Sequence, residues 1–526
     1  NRPPVVVLPG YGSFKGTRII RHAHHGSTLD KPIDAWLGVE YAKQSRFAPP
    51  VWPKPFNGTR DASKYGPICI QGGNQNIQSE DCLNLNIYRP AGIPYSKKLP
   101  VLVFFHGGSF VMGSGRNFDG AGFVARSPVS LMVVTAQYRL SSLGSLPSAL
   151  FEEEGLLNLG IQDQRMLLQF LQRYLSVFGG DPKRVTLSGQ SAGAHAVGIH
   201  LFHHYGTDAG KPLFAQAILS SGSPTARSFP EATYPLYKRQ FKEYMEYLKC
   251  PLAPNAAALR CLRGVDVDKI RTKQSRLYGA SNYKITWPFQ PVSPGPLLEK
   301  RGSVSGEDGT FWKIPTMISS CTDEGSSFAP KDLETTEDFT SFLHNVNPGL
   351  TAEDLVDLAR LYPDPDEPTS PYWDSPKSKQ FKRIVAAYGD YSYICPVQDA
   401  AVRLADAGVP VYKARFNTPN WGKDWEGVPH AADFMYFNGS PDVQFPEVSE
   451  LYSSYWASFV ATGDPNTYAA PGAPKWEMYK GLGKSQLAVG SRKGINGTRM
   501  EPEGHGIRMQ ACAWWRDPER MKRLRK

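Results

Sequence analysis

One short junction constrains this chain more than any other feature: a serine flanked by glycines where a strand turns into a helix. Gly189-Gln190-Ser191-Ala192-Gly193 is a G-x-S-x-G pentapeptide. It stands between a short apolar strand, Val185-Thr186-Leu187, and a small-residue helix from about Ser191 to Leu201. A serine at such a junction is exposed on a sharp turn, and the glycines remove side chains that would clash there. Upstream, the apolar run Leu99 to Phe105 reads as a buried strand and leads directly into His106-Gly107-Gly108-Ser109-Phe110. Glycines let such a loop bring backbone N–H groups close to a reacting carbonyl, where negative charge develops during acyl transfer.

The rest of the chain supplies a frame for that junction. Val101 to Phe105 and Leu131 to Thr135 read as strands of a parallel sheet. Ile161, Met166, Leu167, Leu168, Phe170, Leu171 and Leu175 recur at helical spacing, and Phe178-Gly179-Gly180-Asp181-Pro182 reads as a stop and turn. Beyond Ser223 the pattern becomes more helical. Tyr234 to Leu262 and Asp332 to Tyr393 look like excursions from the sheet, separated by a strand at Thr316 to Ser320. A further strand, Val409 to Phe416, follows. No repeat or long linker interrupts the 526 residues, so one α/β domain over 1–526 is expected, with helical insertions at about 230–310 and 331–400.

A serine nucleophile needs a base, and the base needs a partner that fixes its tautomer. Eleven histidines compete for the role. His22, His24 and His25 precede the serine in a polar stretch and read as a loop or a metal-like cluster. His195, His200, His203 and His204 belong to the helix after the serine or its end, too close in sequence to swing round as the base. Of His344, His430 and His505, only His430 sits in a loop just after a strand, in Gly427-Val428-Pro429-His430. The acid of such a triad falls between serine and histidine in chain order. Thr322-Asp323-Glu324-Gly325 follows a strand there, with Glu324 as the acid and Asp323 as its local alternative.

Composition narrows the remaining classes. The formal charge is +10, but Lys and Arg are spread along the chain among acids, which argues against nucleic acid as a partner. The basic cluster Arg520 to Lys526 reads as a solvated end. No apolar run approaches the length of a membrane span. The start lacks a basic and apolar leader pattern, so any signal peptide is expected to have been removed. The seven cysteines include no C-x-x-C pair, which disfavours a zinc ribbon. Sequons at Asn57, Asn438 and Asn496 are expected glycosylation sites and, with the cysteines, favour a secreted, extracellular protein.

Five separated blocks resemble the type-B carboxylesterase/lipase family, the cholinesterase-like α/β-hydrolases. They are Ser79-Glu80-Asp81-Cys82-Leu83-Asn84-Leu85-Asn86, the His-Gly-Gly loop, Asn158-Leu159-Gly160-Ile161-Gln162-Asp163-Gln164-Arg165, Phe178 to Pro182 running into the serine motif, and Asp323-Glu324-Gly325 with the His430 loop. They run in the family's order from about Tyr11 to Trp515, and the tail Ala511-Cys512-Ala513-Trp514-Trp515 most resembles secreted fungal members.

The resemblance implies an α/β-hydrolase fold, a large mostly parallel sheet flanked by helices. It implies a serine carboxylesterase that works through an acyl-enzyme on a small-molecule ester, with no cofactor and no metal. Glu324 would be the acid, and the N–H groups of Gly108, Ser109 and Ala192 the oxyanion donors, with Ser109 where the family usually has a third glycine. Implied disulfides are Cys69–Cys82, Cys250–Cys261 and Cys395–Cys512, leaving Cys321 unpaired. Implied buried ion pairs are Arg46 with Glu80 and Arg139 with Asp163. Trp287 and Phe289 match positions that wall the acyl pocket.

Two departures narrow the substrate. Family cholinesterases carry Glu before the serine and a Trp in the first disulfide loop; here Gln190 stands there and the loop holds no aromatic. A choline ester is therefore not expected. The loop is also too short and polar for a lipase lid, so soluble short-acyl esters are expected over long-chain or sterol esters. A non-catalytic adhesion role is the remaining alternative, which the intact triad disfavours.

Overall fold

The computed structural model describes residues 2–22, 26–203 and 212–526. His24, His25 and His204 lie outside the described residues. An 11-stranded sheet runs in the order Arg499–Pro502, Ser485–Val489, Val411–Phe416, Thr316–Cys321, Gln216–Ser220, Gly180–Gln190, Leu99–Phe105, Met132–Ala136, Asn84–Pro90, Thr28–Glu40, Thr17–Arg21. From Ser485–Val489 through Met132–Ala136 all neighbours are parallel. Antiparallel pairs occur only at the two flanks.

The unbroken apolar run Leu99–Phe105 is explained by its place, buried throughout between two parallel neighbours. Alternation sends Val101, Val103 and Phe105 to one face, under the helices Leu159–Tyr174 and Ala192–Phe202. Leu102 and Phe104 go to the other, under Gly120–Arg126 and Pro446–Thr462. Phe104 stacks 4.6 Å from Phe118, and truncating it to alanine would cost about 3–5 kcal/mol. A sheet filled on both faces holds its strand ends rigidly, and those ends carry the site.

Three features differ from the sequence reading. The strand before Ser191 begins at Gly180, not Val185. Gly180 pairs with Leu99, then the register shifts and pairing resumes at Val185, so Asp181 and Pro182 sit in a bulge inside the strand. The sequence reading assigned no strand before Leu99, yet Thr28–Glu40 is a long one. Pro32 and Gly38 hide it; Gly38 adopts φ 69° where the register shifts between Trp36 and Val39. The third is a correction: Arg520 to Lys526 is not a solvated end. Arg520 and Arg523 pair with Asp354, Arg525 pairs with Glu231, and Lys526 is buried with its ammonium 3.8 Å from the Tyr391 ring.

Outside the sheet, Pro235–Leu248, Asn255–Gly264 and Val267–Ser281 form one helical layer, with Cys250 bonded to Cys261. Thr336–Val346, Ala352–Leu361 and Phe381–Gly389 form a second around an aromatic core of Phe339, Tyr362, Tyr388 and Trp515. Cys395–Cys512 ties the helices Cys395–Asp406 and Met509–Trp515, and Cys69–Cys82 closes a loop near the N-terminal strands. Cys321 is buried and unbonded. Arg139 and Asp163 form a fully buried bidentate pair, both contacts 2.8 Å. Arg46 and Glu80 are also bidentate at 2.7 Å but remain partly exposed. Asn57 and Asn496 are exposed. Asn438 is buried, its carboxamide bonded to both the N–H and the carbonyl of Asp119.

Candidate active site

Ser191, the His106–Phe110 loop and Glu324 lie just past the carboxyl ends of parallel strands, the usual position for a site in an open α/β sheet, and His430 lies on the segment that leaves Val411–Phe416. Ser191 follows Gln190, the last residue of its strand, and precedes the helix Ala192–Phe202. Its backbone is at φ 57°, ψ −126°, a conformation a side chain adopts only when its surroundings enforce it. The neighbouring glycines show why. A Cβ on Gly189 would lie 2.3 Å from the Gly193 carbonyl carbon, and one on Gly193 would lie 2.0 Å from the Phe105 carbonyl oxygen. The turn closes only because both lack side chains.

His430 joins the two remaining groups. Its Nε2 is 2.7 Å from Ser191 Oγ and its Nδ1 is 2.6 Å from Glu324 Oε2. With Nδ1 protonated toward the carboxylate, Nε2 is free to accept the serine proton. The imidazole packs against Tyr393, centroids 4.4 Å apart, and Phe328 at 5.1 Å, two rings that also touch each other at 5.7 Å. Glu324 is completely buried, and its other oxygen accepts from the Cys321 N–H at 2.7 Å and the Ser221 hydroxyl at 2.5 Å. Asp323, the local alternative, is resolved by geometry. Its carboxylate accepts the Val428 N–H at 2.9 Å, so it holds the histidine loop and does not reach the ring. Burial raises the Asp323 carboxyl above its ordinary value.

The His-Gly-Gly loop lies beside this line. Ser109 and Phe110 both have positive φ, 57° and 62°, and Gly108 has φ 116°. A Cβ on Gly107 would come within 3.0 Å of the Ser191 Cβ, which places the loop against the nucleophile. Among the described residues the N–H groups of Gly108, Ser109 and Ala192 donate no hydrogen bond. His106 faces inward, stacked on Tyr138 at 4.4 Å, and burial pulls its imidazole down to about 4. Trp287 touches Phe328 at 5.8 Å, one ring removed from His430. Phe289 instead faces the first helical layer, 6.0 Å from Tyr244.

The other histidines are occupied elsewhere. His22 contacts Asp119, His200 contacts Gln164, His203 contacts Glu299, and His195 stacks near Tyr393. His344 and His505 are exposed. Asp390, Cys395 and Cys512 cluster, but the sulfurs are bonded to each other and the carboxylate pairs with Arg508.

The model of the carboxylesterase family matches residues 3–504. The chain belongs to the carboxylesterase family. Within it, this carboxylesterase is 49% identical to Secreted lipase 4 of Gibberella zeae over 537 residues, 99% of this chain and 95% of that protein. It is 28% identical to acetylcholinesterase of Bungarus fasciatus, over 97% of this chain and 87% of that one. The crystal structure of Aspergillus niger EstA superposes with TM-score 0.86 at 28% identity, covering 100% of both chains. A PNB esterase gives 0.77 at 26% identity, covering 97% of this chain and 99% of that one. The carboxylesterase is thus a carboxylic-ester hydrolase with the α/β-hydrolase fold.

Several residues of the carboxylesterase site carry no sequence signature. Ser221 follows a strand end as the others do, and that position could have marked it. Its φ of 52° turns its hydroxyl onto Glu324. Phe328, in the turn after Glu324–Ser327, and Tyr393, in the helical segment Asp390–Ile394, carry no local signature. Neither does Asp433, a buried acid three residues after His430 that accepts from the Ser220 hydroxyl. Burial pushes its carboxyl up to about 6.

Proposed function

We propose that this carboxylesterase hydrolyses soluble short-acyl esters through an acyl-enzyme on Ser191. The unbroken hydrogen-bonded line Ser191–His430–Glu324 carries that reading. Ser191 Oγ attacks the ester carbonyl carbon while His430 Nε2 takes its proton. Glu324 steadies the imidazolium that forms. The carbonyl oxygen, now an oxyanion, meets the free N–H groups of Gly108, Ser109 and Ala192. His430 returns the proton to the departing alcohol, and water repeats the sequence to release the acid.

The short-acyl preference has two supports. Trp287 stands one ring from His430 and would shorten a pocket there. The Cys69–Cys82 loop is fixed rather than lid-like: the Gln71 carboxamide both donates to the Gly113 carbonyl and accepts its N–H, each at 2.9 Å. The relative named Secreted lipase 4 favours a second reading, hydrolysis of long-chain or sterol esters. Three disulfides and that same relative support secretion.

A fluorophosphonate probe followed by peptide mapping tests the mechanism, with one label expected, on Ser191; a label on another serine overturns it. Rates on butyrate esters in solution against emulsified long-chain esters separate the two substrate readings.

A further inference from the structure

We propose that the cavity beside the oxyanion loop binds a carboxylate on the acyl half of the substrate, with Arg227 as its anchor. The preferred esters are then monoesters of short dicarboxylic acids. This rests on the proposal that Ser191 is the nucleophile of an ester hydrolase.

A cavity of about 430 Å³ opens between the first helical layer and the aromatic helices. Arg227, Arg239 and Lys284 line it, together with tyrosines and amides, and no Asp or Glu does. Its polarity therefore suits an anion, and the +10 formal charge of the chain draws anions toward it. Arg227 makes no ion pair among the described residues, and its buried Nε has no acceptor. Arg139, Arg415 and Arg508, by contrast, are matched with Asp163, Glu501 and Asp390. This half-buried guanidinium has one buried N–H without an acceptor, and a bidentate carboxylate is the ligand its planar fork fits best.

The surroundings aim this cation at the reaction. Its guanidinium carbon lies 5.0 Å from the Trp287 ring and 5.9 Å from the Phe110 ring. Phe110 follows Ser109 in the oxyanion loop. Gln290 lines the same cavity and donates to the Ser109 carbonyl at 2.8 Å. Trp287 leads through Phe328 to His430. Gln290, Trp287 and Phe110 thus lie between the cavity and the oxyanion loop, and a short acyl chain passing them from Ser191 would set its far carboxylate at Arg227. The chemistry is unchanged. Ser191 Oγ bonds to the ester carbonyl carbon, the alcohol leaves with the proton from His430, and water then releases the free diacid.

The test compares monoethyl succinate with ethyl butyrate in a pH-stat, on the unmodified protein and on Arg227→Met. The unmodified protein is expected to favour the succinate monoester, and a preference for butyrate overturns the proposal. In Arg227→Met, kcat/KM on the succinate monoester should fall on the order of 10- to 100-fold, with a much smaller change on butyrate and Arg227→Lys restoring part of the loss. An equal fall on both esters overturns it. Acetoxyacetate carries the carboxylate on the alcohol half; an equal dependence on Arg227 there overturns the acyl assignment. Titration of Ser191 with the fluorophosphonate counts folded sites in every variant. Failure of Ser191 to label in the unmodified protein refutes the nucleophile assignment instead.

Discussion

The strand-end loops and the helical excursions build the same site by opposite means. At the strand ends, backbone geometry does the placing. Ser191, the Gly108–Ser109 loop, Glu324 and the His430 loop each leave a rigid parallel strand, and glycines permit the close approaches. The helical excursions contribute bulk: Tyr393 packs on the imidazole of His430, and Trp287 backs Phe328 and carries Arg227, the latter two from loops that follow strands. The first region should therefore govern the rate, and the second the choice of ester.

The largest test of that division is Ser191→Ala. It should lower turnover on the order of 10⁶-fold with the fold retained, as read by ester hydrolysis and circular dichroism. Retained hydrolysis would remove the strand-end region from the chemistry altogether.

Two adjacent carboxylates sharpen the comparison further. Glu324→Gln should reduce kcat on the order of 10⁴-fold, because the imidazole loses its tautomer-fixing partner. Asp323→Asn alters only the Val428 N–H contact and should cost about 1 kcal/mol of stability, with a much smaller effect on rate. If steady-state kinetics ranked the two the other way, the geometric assignment of the acid would fail.

Asp433 lets the same region be probed through pH. Its carboxyl is pushed up to about 6 from an ordinary 3.8, chiefly by burial. The folded protein thus keeps a proton that the unfolded chain releases. The stabilising effect is full below about 3.8 and is lost as pH rises through about 6. Asp433→Asn cannot ionise, so between pH 4 and 7 its stability should rise relative to the parent by about 3 kcal/mol. Urea melts across that range measure the difference, and a pH-independent gap would contradict it.

The smallest effect belongs to the helical side. Trp287→Ala should shift preference toward longer acyl groups, each newly accommodated methylene adding about 0.8 kcal/mol to binding. A chain-length series of soluble esters reads this. An unchanged series, or efficient hydrolysis of long-chain esters by the parent, would place the acyl chain elsewhere.

The same division explains what the sequence made legible. Turns that need glycine leave a signature in the residues themselves, so the serine junction and the His-Gly-Gly loop could be found by spacing. The choice between Glu324 and Asp323 needed the family resemblance, since both stand at the same strand end. Thr28–Glu40 was hidden by Pro32 and Gly38, which read as breakers but occupy a bulged flank strand. Arg227 and Phe328 contact residues far away in the chain, Phe110 and Trp287 for the first and Trp287 and His430 for the second, and no local pattern announces such contacts. The basic tail misled because its carboxylate partners, Asp354 and Glu231, lie far away in the chain.

The backbone at Ser191 has a consequence for how such a chain can change. At φ 57° and ψ −126° glycine is the residue the local geometry prefers, and any side chain there is held against a cost of order 1–3 kcal/mol. Mutational drift under selection for folding alone would run toward Ser191→Gly, which on the proposed mechanism is inactive. On that mechanism, keeping a hydroxyl at this point is a demand of reactivity set against the preference of the scaffold.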